Sequence, residues 1–266
     1  MRGDVPGDFG FKVPFSAIIF GTSGGIGGAL TRKTAAAISD RTMSAEPAGH
    51  IFAVNRRNGS ARDRIVTCLQ ADPLQEKQLA KAATLIRSGT ERGACAPVRL
   101  IVVAIGALQT DGGAGPEKSL RSLSSASMQE IYAVNTVAPA LIAKHFLPLL
   151  PKSGRSVFAA LSARVGSISD NRLGGWYSYR AAKAALNQIL KTASIELART
   201  HPEAICVGLH PGTVDTALSK PFLANVPRDR LFTADRAAAH LAHTLSTLTV
   251  QQSGQVFAWD GIPVPA

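Results

Sequence analysis

Short apolar runs alternate with amphipathic ones along this chain. "SAIIFG" (16–21), "HIFAVN" (50–55), "RIVTCLQ" (64–70), "VRLIVVAIG" (98–106), "RSVFAALS" (155–162), "AICVGLH" (204–210) and "QVFAWD" (255–260) read as strands. From Leu100 onward the run at 98–106 is apolar and ends on glycine, as a strand buried on both faces should be. Between the strands, apolar residues recur at helical spacing in "GGALTRKTAAAISD" (27–40), "PLQEKQLAKAATLIRSG" (73–89), "SMQEIYAVNTVAPALIAKHFLPLL" (127–150), "WYSYRAAKAALNQILKTASIELAR" (176–199) and "ADRAAAHLAHTLSTL" (234–248). Pro139 lies inside the third of these and is expected to kink it. The Gly/Ser-rich stretch 106–127 reads as a loop.

Seven strands alternating with helices predict an α/β fold: a doubly wound parallel sheet with helices on both faces. No repeat and no linker interrupts it. The expectation is one domain over 16–266 behind a flexible leader, 1–15. Residues 13–31 carry no charge, but Pro14 and five glycines break the run, so it reads as strand and loop rather than a membrane span.

Composition narrows the class. Hydrophobic residues make up 45% of 266 and charged residues 18%, enough apolar material for a large core. The net charge of +11 suits an anionic partner, whether nucleic acid, acidic lipid or phosphorylated cofactor. The positive residues are scattered, however, which favours an ordinary basic surface over nucleic-acid binding. Cys68, Cys95 and Cys206 are too few and too far apart for a disulfide framework or a metal site. They suit a reducing, cytoplasmic setting.

Candidate chemistry starts at the first turn. "IIFGTSGGIGGAL" sets Gly21, Gly25 and Gly27 between a strand and a helix. Such a turn either packs tightly for structural reasons or lets a pyrophosphate approach the helix N-terminus. After the second strand come Arg56 and Arg57 with no acid. They are either surface arginines or a clamp for the 2′-phosphate of NADP. Asp72 follows the third strand, to cap a helix or to accept from an adenine amino group. Further on, Lys183 lies four residues after Tyr179, on one helix face. An ammonium there stabilises phenolate, lowers the tyrosine pKa and suits it to proton transfer. Tyr177 has Ala181 at the same offset.

Gly21/Gly25/Gly27, Asn135, Ser162, Tyr179/Lys183 and "HPGTVDT" (210–216) occur in that order. In this set the chain resembles the short-chain dehydrogenase/reductase family over roughly residues 16–260. Residues 162–188, 209–222 and 254–261 look like its C-factor-like and sniffer-type carbonyl reductase branch. The resemblance implies a Rossmann-type fold and an NADP(H)-dependent oxidoreductase acting on a small carbonyl or alcohol, without metal. It also implies a homodimer or homotetramer built through the helices at 127–150 and 176–199. Tyr179 would be the proton donor or acceptor, and Lys183 would tune it and bond the nicotinamide ribose. Asn135 would hold a water in a relay to that lysine. The cofactor would meet Gly21, Ser23, Gly24, Gly25, Ile26, Gly27, Arg56, Arg57, Asp72, Ala104, Gly106, Tyr179, Lys183, Pro211, Gly212, Thr213, Val214 and Thr216.

This chain departs from the family pattern in places. Phe20 replaces a threonine, Val103-Ala104-Ile105-Gly106 replaces Asn-Asn-Ala-Gly, and Ala182 stands where serine is frequent. Aligning on Gly166 puts Ala163 at the position of the catalytic serine. Ser162 is the expected hydroxyl, with Ser167 as the fallback. His210 reads as structural, and Trp176 as pocket wall or helix packing. Lys220 and Phe222 fall in a segment where the family carries a mobile substrate lid. A non-enzymatic dinucleotide-bound regulator of the C-factor type is the alternative reading. A nucleic-acid binder is the weaker one.

Overall fold

The computed structural model describes residues 9–40, 48–57, 59, 63–224 and 226–266. In chain order the strands are β1 (Ser16–Phe20), β2 (Ile51–Asn55), β3 (Val66–Gln70), β4 (Val98–Val103), β5 (Ser156–Leu161), β6 (Ala204–His210), β7 (Thr213–Val214), β8 (Leu231–Phe232) and β9 (Val256–Ala258). The helices are α1 (Gly25–Ser39), α2 (Glu76–Glu91), α3 (Ser125–Tyr132), α4 (Ala138–Phe146), α5 (Tyr177–Ala198) and α6 (Ala234–Thr247). Seven strands form one sheet in the order β3-β2-β1-β4-β5-β6-β9. Every pairing in it is parallel.

Alternation along each strand builds the two cores. Ala17 and Ile19 point into the layer that holds α1 and α6. Ile18 and Phe20 point into the opposite layer, with α2, α4 and α5. All of β1 is buried, while the edge strand β3 is half exposed. Strand order reverses between β1 and β4. The carboxyl ends of these two strands diverge there and open a crevice, the usual ligand site of such a sheet.

Three features differ from the sequence expectation. The leader is not loose over its described part: Phe9, Phe11 and Phe15 are buried in the α1/α6 core, and the rings of Phe11 and Phe15 lie 4.6 Å apart. Burying each such ring is worth about 1.5–3 kcal/mol. Residues 1–8 of the expected leader lie outside the described residues. The long helix expected at 127–150 is interrupted between α3 and α4 by a wide π-helical turn, Ala133–Val137. Pro139 supplies the reason. It has no N–H for the carbonyl of Asn135, and its ring crowds that carbonyl, so the helix widens just upstream. The third feature is the two-residue ribbon β7–β8, too short to leave a periodic signal.

Candidate active site

Glycines at the crevice allow three backbones to touch. Gly21 has φ +79°, and a Cβ there would collide with the carbonyl of Ala104 at the end of β4. A Cβ on Gly27 would collide with the carbonyl of Gly21. Gly24 precedes α1 without a side-chain cap, and no acid occupies the first turn. The N–H groups of that turn are therefore available to an anion. Phe20, standing where the family has threonine, packs edge-on against Phe146 at 4.9 Å. The bracing comes instead from Asn55 at the end of β2. Its Oδ1 accepts from the Ser23 N–H at 3.1 Å, and its Nδ2 donates to the Thr22 hydroxyl at 2.6 Å. Sequence reasoning passed over Asn55, although it lies beside the arginines that drew attention to this strand end.

The cleft has a volume of about 480 Å³ and runs from this turn to α5. From the expected set it brings together Gly21 and Ser23 through Gly27, then Arg56, Asp72, Ala104 and Gly106. Ser162, Tyr179, Lys183, Pro211 and Thr216 complete its wall. Arg57 is exposed and does not line it. Gly212, Thr213 and Val214 also lie off the wall: Gly212 turns at φ +78° against the rings of Phe232 and Trp259, and the other two form β7. Asp72 does not cap α2, whose N-cap is Gln75. Its carboxylate accepts from the Leu74 N–H at 2.9 Å and closes a turn at the cleft rim.

Tyr179 and Lys183 face the sheet from α5, on the stripe that also buries Ala182, Leu186 and Leu190. Lys183 is 2% exposed, and its Nζ donates to the carbonyl of Leu161 at 2.8 Å. That Nζ lies 5.7 Å from the centre of the Tyr179 ring. The expectation that the lysine depresses the tyrosine pKa is corrected for the protein groups alone. Burial pushes the Tyr179 phenol up, and burial pushes Lys183 down to about 7. At this separation, removing both groups from water outweighs their attraction.

The lysine shift has a measurable consequence. Unfolded Lys183 keeps its proton to about its ordinary value of 10.5, while the folded residue loses it near 7. Between these values the unfolded chain binds the extra proton, so this residue makes stability rise with pH, by at most about 1.4 kcal/mol per unit. We expect the urea midpoint of the protein without added dinucleotide to rise from pH 7 to pH 9. In Lys183→Met this contribution should vanish. An equal rise in the variant would refute the assignment.

Asn135 is fully buried behind the cleft wall rather than on it. It sits in the π-helical turn, and its side chain pins the segment after β4. Oδ1 accepts from the Ala107 N–H at 3.2 Å, and Nδ2 donates to the carbonyls of Ala107 at 2.8 Å and Ile131 at 2.9 Å. The same turn reaches α5 through the Thr136 hydroxyl, which donates to the Ala182 carbonyl at 2.8 Å. Gly106 makes room for this: a Cβ there would stand 3.2 Å from Asn135 Oδ1 and 3.7 Å from Lys183 Nζ. Asn135 thus supplies the bracing that the missing asparagines after β4 would have given.

The hydroxyls are arranged differently from the lysine pair. Ser162 lines the cleft, but its hydroxyl donates to Asn187 Oδ1 at 2.6 Å, two turns along α5 from Tyr179. Ser167 is off the wall, accepting from the Asp170 N–H at 3.1 Å and donating to the carbonyl of Ala266. Ala163 packs against the apolar cluster that contains Tyr179. His210 is also off the wall, and burial pushes its imidazole down to about 4, which keeps it neutral. Lys220 is exposed, while Phe222 packs on Trp176 with ring centres 5.4 Å apart. Among the described residues no cluster suited to a metal ion occurs, and no helix is long and apolar enough to cross a membrane.

Residues 16–226 match the family model described as short chain dehydrogenase. The C-signal protein of Myxococcus xanthus is 30% identical over 148 residues, 55% of this chain and 83% of that protein. A 1-hydroxy-2-glutathionyl-2-methyl-3-butene dehydrogenase of Rhodococcus sp. (strain AD45) is 34% identical over 129 residues. That match spans 48% of this chain but only 54% of the Rhodococcus protein. Among solved structures, the NADPH-bound carbonyl reductase from chicken fatty liver superposes with a TM-score of 0.76 at 24% identity, covering 96% of this chain and all of that one. The carbonyl reductase Sniffer of D. melanogaster gives 0.75 at 22% identity, again covering 96% of this chain and all of its own. At these identities the superpositions speak for the fold.

Proposed function

The chain belongs to the short-chain dehydrogenase family of oxidoreductases, and on that premise we propose that it interconverts a carbonyl and an alcohol with NADP(H). The observation that carries the reading is the buried Tyr179–Lys183 pair on the wall of a cleft that continues to the glycine turn. The residues present fit a dinucleotide. Gly24 and Gly25 line the cleft where α1 begins, the α1 N-terminus offers N–H groups with no acid in its first turn, and Arg56 follows β2 on the same wall. The chemistry NADP(H) supplies when bound is hydride transfer at the nicotinamide.

The chain's own part is to bind, orient and move a proton. Tyr179 Oη gives a proton to the carbonyl oxygen during reduction and takes it back during oxidation. The phenol is protonated across the neutral range, but burial, by raising its pKa, makes it a weaker acid. Lys183, when charged, lowers the cost of the phenolate that remains, and its Nζ would bond the nicotinamide ribose. Asn135 contributes through its main chain as well. Pro139 removes the helical donor that would serve the Asn135 carbonyl, which suits that carbonyl to hold a water feeding protons toward Lys183.

Arg56 is assigned to the 2′-phosphate. A charge-assisted bond of this kind is worth about 1.5–3 kcal/mol. Arg56→Ser is expected to weaken NADPH binding tenfold or more and NADH binding little. Arg57→Ser should do less, because Arg57 is off the cleft wall. Equal weakening of both dinucleotides by Arg56→Ser, measured by fluorescence titration, would remove the phosphate assignment.

The similarity to C-signal favours a second reading, a dinucleotide-bound regulator without turnover. NADPH consumption across a broad panel of aldehydes and ketones separates the two. Turnover supports the enzyme, and binding without turnover on any member supports the regulator. The assembly we propose is a homodimer or homotetramer in the cytoplasm, joined through α4 and α5, whose Ile195 is 53% exposed. Sedimentation as a monomer would exclude it.

A further inference from the structure

The turn into α5 passes through three residues of positive φ, only one of which its residue type disfavours. Gly174, Gly175 and Trp176 have φ of +63°, +65° and +54°. Glycine adopts this region freely, whereas a bulky aromatic does so at a cost of about 1–3 kcal/mol. Such strain persists only where the surroundings over-determine it. Here Glu117, from the loop after β4, does so. Its carbonyl accepts the Trp176 N–H at 2.5 Å. Its carboxylate accepts the Ser178 N–H at 3.1 Å and also the Ser178 hydroxyl. Glu117 is only 7% exposed. Burial pushes its pKa up, but the hydrogen bonds to the carboxylate outweigh this and hold it below the ordinary value. Arg180 ties the other side of the turn, donating to the carbonyls of Gly175 at 3.0 Å and Val165 at 3.2 Å.

The turn held in this way places an indole above Tyr179. The Trp176 ring lies 6.2 Å from the Tyr179 ring at 72°, and 5.4 Å from that of Phe222 at 58°. Phe222 belongs to the segment between β7 and β8, whereas Glu117 belongs to the loop after β4. The turn into α5, held by Glu117, and the segment between β7 and β8 therefore meet beside Tyr179 through the Trp176–Phe222 pair, next to the cleft wall that Tyr179 itself lines. Leu108, Ala163 and Val165 pack in the same cluster. Apart from Tyr179, the groups gathered there offer mostly apolar surface.

We propose that Glu117 is a positioning residue that holds Trp176 against Phe222 as the wall of the substrate pocket, and that this wall selects carbonyl compounds bearing a flat apolar group beside the carbonyl. The substrate half rests on the carbonyl-reductase reading above. The placement half does not.

The test uses the full chain in a Trp259→Phe background, where Trp176 is the one remaining tryptophan of two. Its fluorescence then reports the placement, while NADPH oxidation with benzaldehyde and with propanal reports selectivity. The parent should prefer benzaldehyde in kcat/KM. Glu117→Ala should shift Trp176 emission to longer wavelength and erase at least tenfold of the preference. Glu117→Gln, which keeps an acceptor for Ser178, should restore most of both. Trp176→Leu should lose the preference with Glu117 intact. An equal fall on both aldehydes, or unchanged emission and preference in Glu117→Ala, overturns the inference. If Glu117→Ala fails to fold by circular dichroism, Ser178→Ala, which removes the hydroxyl donor to the same carboxylate, is read in its place. If the parent oxidises NADPH with neither aldehyde, the substrate half falls with the enzymatic reading, and the emission shift alone decides the placement.

Discussion

Tyr179→Phe is expected to bind NADPH as the parent does and to lose carbonyl turnover by ~10²–10⁴-fold, the range for a positioned proton donor. The substitution removes one oxygen and leaves the ring. The ring packs among Leu108, Ile131 and Ala182, so the fold and the Trp176 contact should survive. The loss should appear in kcat, because the proton passes only as the carbonyl oxygen gains charge. Turnover within a few-fold of the parent on a good substrate, at unchanged NADPH affinity, would end the assignment of Tyr179 as the donor.

Ala163→Ser is expected to raise turnover by up to about 10²-fold, the scale of one additional donor aimed at a developing oxyanion. Residue 163 packs against the Tyr179 cluster, whereas the Ser162 proton is committed to Asn187. Ser162→Ala should therefore cost less than tenfold in kcat. Its main effect should be about 1 kcal/mol of stability, from leaving Asn187 without its donor. The two variants discriminate between neighbouring positions. A large loss from Ser162→Ala, with no gain from Ala163→Ser, would show that Ser162 holds the carbonyl oxygen after all.

Much of the fold was legible in the chain, and particular elements show why. β1 and β4 are short apolar runs that end on glycine, and α5 carries a buried stripe at helical spacing. Local periodicity is enough for such segments, because burial on two faces or on one face leaves different patterns. The interruption at 133–137 was only half legible: Pro139 announces a kink, but not that the helix widens and carries Asn135 inward. Phe9 and Phe11 were read as leader because no periodic element contains them. Their burial depends on the core they share with α1 and α6, which exists only once the helices have packed on the sheet.

The candidate site divides in the same way. The glycine turn, Arg56 and the Tyr179/Lys183 spacing were legible because each needs a residue type at a fixed place along one element, whereas Asn135 entered only through the family resemblance. Asn55, Asn187 and Glu117 were not. Each acts across the chain, on Ser23, Ser162 and Ser178 respectively, and no spacing records such pairings. The pKa logic needed the structure too. A lysine four residues from a tyrosine predicts attraction, but the depth of burial decides the sign of the shift, and here burial prevails for both groups.

By itself, then, the sequence determined which segments are strands and helices, where the glycine turn lies, and which tyrosine has a lysine one turn on. These are properties of neighbours in the chain, set by local sterics and periodic burial. Only the tertiary structure decided that Asn135 braces rather than lines the cleft, that the Ser162 hydroxyl is held by Asn187, and that Glu117 fixes Trp176 over Tyr179. Those are distances between residues far apart in the chain, and packing alone sets them.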